Sequence, residues 1–420
     1  MTSGTSRREA IAWAFYDVGN SAFTTTVMAG FFPLFFKQYW SAGANVTEST
    51  WNLGLANSLA SVIVAVLAPI LGAVADVGRA KKAWLAGFAA LGCVATAGLF
   101  FVPQGNWPLA AAAYTLASIG FAGSLVFYDA LIVSVASDED SDRISSLGYA
   151  LGYLGGGFLF ALNVAMATKP SLFGLPSPSA GVRWSFITVA IWWAVFTIPL
   201  MTRVHERHTP VRAKSARPVA DALKQVVVTM RRVRELRPVW MFLLAYWLYI
   251  DAVDTVIRMA VDYGLSLGLP SNSLIVALLI TQFVGFPAAI LFAKLASKIG
   301  TRRGILIGLV VYIGVTIFGF FMTTASEFYA LAVVIGLVQG GVQALSRSYF
   351  SRLIPPEEAG EFFGFYNMLG KFAAVIGPTL MGVVGLLTGS PRFGILSLIV
   401  LLVAGGYLLM RVPEPAKSPV

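Results

Sequence analysis

Twelve long apolar stretches constrain what this 420-residue chain can fold into. About 20 consecutive apolar residues are enough for an α-helix to cross the hydrocarbon core of a bilayer. The stretches lie at residues 12–36, 52–75, 83–102, 108–136, 145–167, 183–201, 239–262, 272–296, 304–323, 327–350, 362–387 and 393–410. Only 12% of the residues are charged, about half the share in a soluble domain. We therefore predict an all-α membrane protein with twelve transmembrane helices.

A polar segment at residues 202–238 divides the apolar stretches into two groups of six. It is the longest polar gap in the chain and carries ten of the 30 lysines and arginines. A segment of this length and charge is typical of a linker outside the bilayer. We predict an N-terminal six-helix half at residues 1–201, a basic linker at 202–238 and a C-terminal six-helix half at 239–420.

The basic residues are distributed unevenly between the two sides of the predicted membrane. If both termini lie on the linker's side, 24 of the 30 lysines and arginines fall on that side and four on the other. An excess of basic residues is typical of cytoplasmic loops. We therefore predict an inner-membrane protein with both termini in the cytoplasm. Anionic lipid headgroups then account for the net charge of +10, and no nucleic-acid partner is needed.

The polar residues inside the apolar stretches repeat between the two groups. Three pairs occupy matching positions in the first and seventh stretches: Asp17 with Asp251, Asn20 with Asp254, and Ser21 with Thr255. Asp129 in the fourth stretch matches Gln343 in the tenth. Internal repeats of this kind are common in secondary transporters. The pattern predicts two pseudo-symmetric halves.

The loop after the second stretch carries a recognisable motif, Gly72-Ala-Val-Ala-Asp76-Val-Gly78-Arg79. It resembles the Gly-x-x-x-Asp-Arg/Lys-x-Gly-Arg/Lys signature that the major facilitator superfamily carries between helices 2 and 3. Two positions depart from the signature, because Val77 stands where a base is expected and Gly78 comes one residue early. The motif places the chain near that superfamily.

Three further motifs resemble one branch of the superfamily. They read Ala14-Phe-Tyr-Asp17-Val-Gly-Asn20-Ser-Ala22-Phe, Gly148-Tyr-Ala-Leu-Gly152-Tyr-Leu-Gly155-Gly156-Gly157 and Gly336-Leu-Val-Gln339-Gly-Gly-Val-Gln343-Ala-Leu-Ser346-Arg347-Ser-Tyr349-Phe. Together they resemble the branch that includes the vacuolar amino-acid effluxers linked to autophagy and their bacterial relatives. The resemblance implies the major facilitator fold, in which helices 1, 4, 7 and 10 line a central cavity. It also implies secondary transport of a small solute.

Six ionisable residues lie well inside the predicted spans: Asp17, Asp129, Asp251, Asp254, Arg258 and Lys371. Each would cost about 2.5 to 3.5 kcal/mol if it faced lipid, so they must face one another or water. Asp254 and Arg258 are four residues apart, which favours an ion pair within one helix. Asp17 and Asp251 have no base on their own helix face and are predicted to titrate more freely. Structural ion pairs that lock helices together are the alternative reading.

The ionisable and polar residues of the spans are assigned three predicted roles. Dehydration favours the protonated form of a carboxyl, so proton coupling is assigned to Asp17, Asp251 and Asp129. Substrate binding is assigned to Asn20, Ser21, Tyr128, Asp254, Arg258, Gln339, Gln343, Asn367 and Lys371. Gating is assigned to Asp76, Arg79 and Arg347. The bases Arg258 and Lys371 would place the anionic end of a substrate on the C-terminal side.

Other classes of function find little support in the residues. The chain has no Gly-x-x-x-x-Gly-Lys-Ser/Thr phosphate loop, so it does not pump by itself with ATP. Cys93 is the single cysteine, and His205 and His208 both lie in the linker, so no cofactor, metal or enzymatic centre is expected. We predict a monomeric, proton-coupled transporter of an amino-acid-like solute or short peptide. The alternatives are transport of a lipid or amphiphilic organic anion, and a transporter-derived receptor.

Overall fold

The fold is all-helical throughout the part of the chain that the structure describes. A computed structural model describes residues 7–43, 62–64, 66–72, 81–207 and 228–413, and only the backbone at 262, 271 and 371–375. The second predicted span, at 52–75, lies largely outside this part of the chain. Within it there is no β-strand.

The helices before the linker are numbered α1 to α6. They are α1 (Arg7–Ala22), α2 (Val62–Gly72), α3 (Lys81–Gly98), α4 (Trp107–Ala130), α5 (Ser141–Thr168) and α6 (Pro178–Arg203). Helical turns continue α1 as far as Trp40, and part of this extension is π-helical. Pro33 lies in the extension, where it has no N–H to donate to the helical ladder.

The helices after the linker are numbered α7 to α12. They are α7 (Arg237–Ser266), α8 (Ser271–Ile299), α9 (Thr301–Phe321), α10 (Ala325–Ser351), α11 (Ala359–Thr388) and α12 (Pro391–Arg411). Gly300 alone separates α8 from α9, with φ at 92°. Glycine adopts this left-handed conformation at no steric cost, so one residue suffices to reverse the chain.

Side-chain caps fix where several of these helices begin. Asn106 accepts a hydrogen bond from the Leu109 N–H at the start of α4. Thr324 and Glu327 form a reciprocal capping box at the start of α10. Such caps pair N–H groups that have no partner within the helix. The helix starts are therefore encoded locally, next to the apolar runs.

Nine helices within the described residues are long and apolar enough to span a membrane. They correspond to α3 to α10 and α12. Val62–Gly72 and Ile376–Thr388 form shorter apolar helices. The structure thus confirms a multi-pass helical membrane protein, while the count of twelve spans stays a prediction.

The same helix pairs pack together before and after the linker. Helix α1 packs on α5 and α6, and α3 packs on α4 and α6; correspondingly, α7 packs on α11 and α12, and α9 on α10 and α12. Between the two groups, α5 packs on α8 and α10, and α4 packs on α11. The repeat in the polar residues is therefore accompanied by a repeat in the packing.

Glycines allow α5 to approach α1 closely. A Cβ added to Gly155 would lie 2.4 Å from Val18 Cγ1, and one added to Gly156 would lie 3.2 Å from the Ser21 backbone. Small residues at such positions are how membrane helices pack backbone to backbone. This close packing brings the polar face of α1 against α5.

The two ends of the linker are bound to different groups of helices. Glu9 on α1 contacts His205 and accepts a hydrogen bond from Arg207 Nη2 at 2.8 Å. At the other end, Arg232 Nη1 lies 2.5 Å from Glu358 Oε1, just before α11. We call the side of the helix bundle where these contacts lie the linker side.

Candidate functional site

A buried arginine joins the two groups of helices. Arg347 on α10 is only 2% exposed. Its Nη1 lies 3.2 Å from Asp129 Oδ1 on α4, and its Nη2 lies 3.6 Å from Asp17 Oδ2 on α1. Both carboxylates are buried as well. Three charges from three helices thus meet inside the bundle.

Helix α5 holds the same guanidinium by a serine. Arg347 Nε donates to Ser145 Oγ at 2.9 Å, and Nη2 donates to the Ser145 carbonyl at 3.0 Å. The serine side chain also donates to the Ala344 carbonyl on α10 at 2.8 Å. These bonds fix the position of the guanidinium between the carboxylates.

Aromatic rings surround the guanidinium on its remaining sides. The carbon Cζ of Arg347 lies 4.8 Å from the Trp13 ring centroid, 5.4 Å from that of Tyr128 and 4.6 Å from that of Tyr149. Trp13 and Tyr128 stack with centroids 4.4 Å apart. Cation–π attraction is strongest where the cation is shielded from water, as it is here.

The two carboxylates have further hydrogen-bond donors. Tyr128 donates its hydroxyl to Asp17 Oδ2 at 2.8 Å, and Asn20 Nδ2 donates to Asp17 Oδ1 at 3.3 Å. Asn367 Nδ2 on α11 donates to Asp129 Oδ2 at 3.0 Å. All four carboxylate oxygens of Asp17 and Asp129 are therefore paired, as buried charges require.

We call this set of residues the Arg347 cluster: Trp13, Asp17, Asn20, Tyr128, Asp129, Ser145, Tyr149, Arg347 and Asn367. It contains one base and two acids from helices on both sides of the linker. It also brings together residues that the sequence assigned separately to proton coupling, substrate binding and gating.

The sequence prediction for Asp17 took account of its own helix only. Asp17 has no base on its own helix face and was expected to titrate more freely. The structure places Arg347 beside it, from a helix 330 positions further along the chain. Spacing within one helix reports only the neighbours on that helix, so it could not reveal this partner.

The predicted ion pair between Asp254 and Arg258 stays a prediction. Arg258 is exposed, and Gln343 Nε2 on α10 lies 3.5 Å from Asp254 Oδ1. A spacing of four residues brings two side chains within reach, but it does not select their rotamers. The structure brings Asp254 of α7 close to Gln343 of α10.

Asp251 lies apart from the Arg347 cluster, between α7 and α11. Its Oδ1 accepts the Gly377 N–H at 2.9 Å, with Thr255 Oγ1 at 3.5 Å. The other oxygen, Oδ2, is buried and makes no hydrogen bond within the described residues. A Cβ on Gly377 would lie 2.8 Å from Asp251 Oδ1, so glycine permits this close approach.

The sequence of the chain matches one protein family over most of its length. The family described as "Vacuole effluxer Atg22 like" matches residues 53–418. The chain belongs to the Atg22-like family. The resemblance inferred from α1, α5 and α10 is thereby confirmed.

Two relatives show how far the sequence similarity of the Atg22-like chain extends. The uncharacterized MFS-type transporter YxiO of Bacillus subtilis (strain 168) is 40% identical over 411 residues, which cover 97% of this chain and 96% of YxiO. Autophagy-related protein 22 of Yarrowia lipolytica (strain CLIB 122 / E 150) is 28% identical over 314 residues, or 66% of this chain and 52% of that protein. The match thus spans about half the length of the fungal relative.

Solved structures show that the Atg22-like chain has the fold of a major facilitator superfamily transporter. The proton:xylose symporter XylE, bound to 6-bromo-6-deoxy-D-glucose, superposes with a TM-score of 0.74. The superposition covers 97% of this chain and 96% of XylE, at 14% sequence identity. At this identity the likeness concerns the fold alone.

The remaining predicted residues of the Atg22-like chain occupy different environments. Ser21 packs on α5, where a Cβ on Gly152 would lie 2.5 Å from its Oγ. Gln339 lines a cavity of about 60 Å³ among the helices after the linker, and its Oε1 is buried without a hydrogen bond to the described residues. Asp76 and Arg79 lie outside the described residues, and the Lys371 side chain is not described.

A second set of contacts between the two groups of helices was not predicted from the sequence. Asp142 at the start of α5 lies 3.0 Å from Arg352 Nη2, just after α10. It also accepts hydrogen bonds from Ser348 and, at 2.6 Å, from Thr301 Oγ1 on α9. These groups flank short loops, where charges are common, so the sequence carried no signal that set them apart. They close the linker side of the Atg22-like bundle.

Replacing Asp142 with alanine is expected to loosen the linker side. A hydrogen bond to a charged group contributes about 1.5 to 3 kcal/mol. Losing the bonds to Asp142 should therefore raise the fraction of molecules that are open on the linker side about tenfold or more. We would measure the alkylation rate of a cysteine placed at Ser351, which is 8% exposed, in a Cys93→Ser background. Glu139→Ala, at an exposed acid nearby, is the matched control. Equal rates in the two variants would contradict the prediction.

Proposed function

We propose that this Atg22-like protein is a secondary active transporter of an amino-acid-like solute or short peptide, coupled to protons. The observation that carries the proposal is the burial of Arg347, from α10, between Asp17 and Asp129 of α1 and α4. Breaking a buried pair by removing one partner is strongly destabilising. The two groups of helices can therefore separate at this point only if something replaces the lost charges.

We also propose the arrangement that such a mechanism needs. Twelve spans would form an N-terminal half (1–201) and a C-terminal half (239–420), with the linker and both termini in the cytoplasm of an inner-membrane protein. Nine described spans, the recurring helix pairs and the fold of the MFS neighbours support this arrangement. A monomer would suffice, because both halves belong to one chain.

Alternating access would then be a rocking of the two halves about the central site. In the structure, the linker side is held by Arg352 on Asp142 and by the Arg347 cluster. Opening this side requires both contacts to break. We propose that protons reach Asp17 and Asp129 in exchange for Arg347, while the freed guanidinium meets the carboxylate of the substrate.

Asp251 is the second proposed proton site. Its Oδ2 is buried and lacks a hydrogen bond within the described residues, which is costly for an ionised carboxylate. A proton on this oxygen would remove the cost. Arg258, Asp254, Gln343 and Lys371 are proposed to contact the solute from the C-terminal half, and Asp76 and Arg79 to act in gating.

Replacing Asp17 or Asp251 with asparagine is expected to uncouple uptake from the pH gradient. The amide keeps the shape of the side chain but neither accepts nor releases a proton. We would reconstitute each variant in liposomes and measure uptake of a radiolabelled amino-acid mixture with and without an imposed pH gradient. Glu139→Gln, at an exposed acid, is the control and should behave as wild type. Full gradient-driven uptake by both asparagine variants would refute the assignment.

A second candidate function is transport of a lipid or other amphiphilic organic anion. The cavity of about 60 Å³ is lined by apolar side chains from every helix after the linker, including Val256, Leu274, Val315, Phe328, Met381 and Ile395. Such a lining suits a short alkyl group. The melting temperature of the purified protein, measured with amino acids and separately with fatty acids, distinguishes the two candidates, because a ligand stabilises the state that it binds. Binding without uptake would instead indicate a receptor.

A further inference from the structure

The guanidinium of Arg347 lies in a pocket that belongs to the other half of the protein. The three rings of Trp13, Tyr128 and Tyr149 and the carboxylates of Asp17 and Asp129 come from α1, α4 and α5. The arginine comes from α10. The pocket and its occupant are thus carried by elements that move apart in the proposed transport cycle.

We propose that this pocket is a binding site for the ammonium or guanidinium group of the transported solute, and that Arg347 is its internal occupant in the structure described here. This inference rests on the proposed function, and it names the chemical class of the solute. Aromatic rings that enclose a cation, together with carboxylates, form the usual recognition site for an organic cation.

When the two halves separate on the linker side, the pocket loses its cation. Asp17 would keep its hydrogen bonds from Tyr128 and Asn20, but neither Asp17 nor Asp129 would then face a cation, which is unfavourable. Protons can neutralise the two carboxylates, but they leave no cation over the three rings. An organic cation that displaces those protons restores both the ion pairs and the cation–π contacts, so protons and the cationic end of the solute occupy the two carboxylates alternately.

Arg347 has the complementary requirement. It withdraws with α10 and loses both of its carboxylates. A solute that carries an ammonium and a carboxylate satisfies both sides, because its ammonium enters the pocket and its carboxylate meets Arg347. A neutral solute satisfies neither side, and an anion satisfies only the arginine. The site therefore selects zwitterions and organic cations.

This arrangement also changes where the ends of the solute are expected. From the sequence, Arg258 and Lys371 were the predicted partners of the anionic end. Arg347 now takes that role, because it is the base that leaves a cation pocket when the halves open. The cationic end lies on the N-terminal half.

The pocket can be tested without any transport assay. In purified Arg347→Ala, methylguanidinium at millimolar concentration should raise the melting temperature saturably, and it should bind about tenfold or more tightly than the uncharged isostere methylurea. Wild-type protein should respond much more weakly to methylguanidinium, because its own arginine competes for the pocket. Arg347→Gln is tested in parallel in case the alanine variant does not fold.

Two controls decide whether the response comes from this pocket. Adding Asp17→Asn and Asp129→Asn to Arg347→Ala should abolish the difference between methylguanidinium and methylurea. Arg303→Ala, at an exposed arginine, should not respond. Methylguanidinium that binds no better than methylurea, or binding that survives the loss of both carboxylates, would overturn the inference while the proposed transport function stands. Selective binding by Arg347→Ala together with absent uptake by the wild-type protein would keep the site and overturn the transport function.

Discussion

Replacing Arg347 with glutamine is expected to abolish uptake and to destabilise the folded protein by about 3 to 5 kcal/mol. The variant leaves Asp17 and Asp129 buried with hydrogen-bond donors but without a cation. The loss exceeds that of an ordinary surface substitution, which stays within about 0.5 kcal/mol. Uptake in liposomes and denaturant unfolding in detergent measure the two effects.

A second substitution can show whether uncompensated charge causes the loss of stability in Arg347→Gln. Arg347→Gln combined with Asp129→Asn removes one of the two uncompensated charges, so it should recover part of the lost stability. Arg303→Gln removes an exposed arginine and serves as the control. A loss below about 1 kcal/mol for Arg347→Gln, or no recovery in the double variant, would show that the charges are not energetically coupled.

Replacing Gly72 with alanine is expected to force the two groups of helices apart on the linker side. An added Cβ would lie 2.4 Å from the Gly360 carbonyl oxygen and 2.9 Å from Gly364 Cα on α11. These are backbone atoms, which cannot move away as a flexible side chain can. We expect uptake to fall about fivefold or more, since over-packing costs about 1 to 3 kcal/mol.

Gly87 on α3 provides a matched control for this substitution. A Cβ there would meet no heavy atom within 4 Å. Gly87→Ala should therefore leave uptake unchanged and stabilise the helix by up to about 1 kcal/mol. Alkylation of a cysteine at Ser351 should be faster in Gly72→Ala than in Gly87→Ala. Equal alkylation rates would mean that the close contact between α2 and α11 does not keep the linker side closed.

Most of the fold was predictable because the relevant signals are local. Hydropathy along about 20 residues reports a span, and the nine spans confirmed within the described residues overlap predicted stretches. The family also followed from the sequence, since the motifs of α1, α5 and α10 are contiguous. Asp17, Asp129 and Arg347 were each singled out from the same stretches.

The partners of those residues were not predictable in this way. An ion pair between Asp129 and Arg347 depends on the rotation and register of α4 against α10, which nothing in either helix alone specifies. For the same reason, the approach of Gln343 on α10 to Asp254 on α7, at 3.5 Å, was not predicted. The contacts of Asp142 with Arg352 on the linker side were missed altogether.

By itself, then, the sequence determined that this chain is a helical membrane protein of the Atg22-like family, and it singled out the buried charges Asp17, Asp129, Asp251 and Arg347. Only the tertiary structure decided which of those charges meet. The physical reason is that transfer into lipid is a property of each segment, whereas the pairing of charges is a property of how segments from both groups of helices pack.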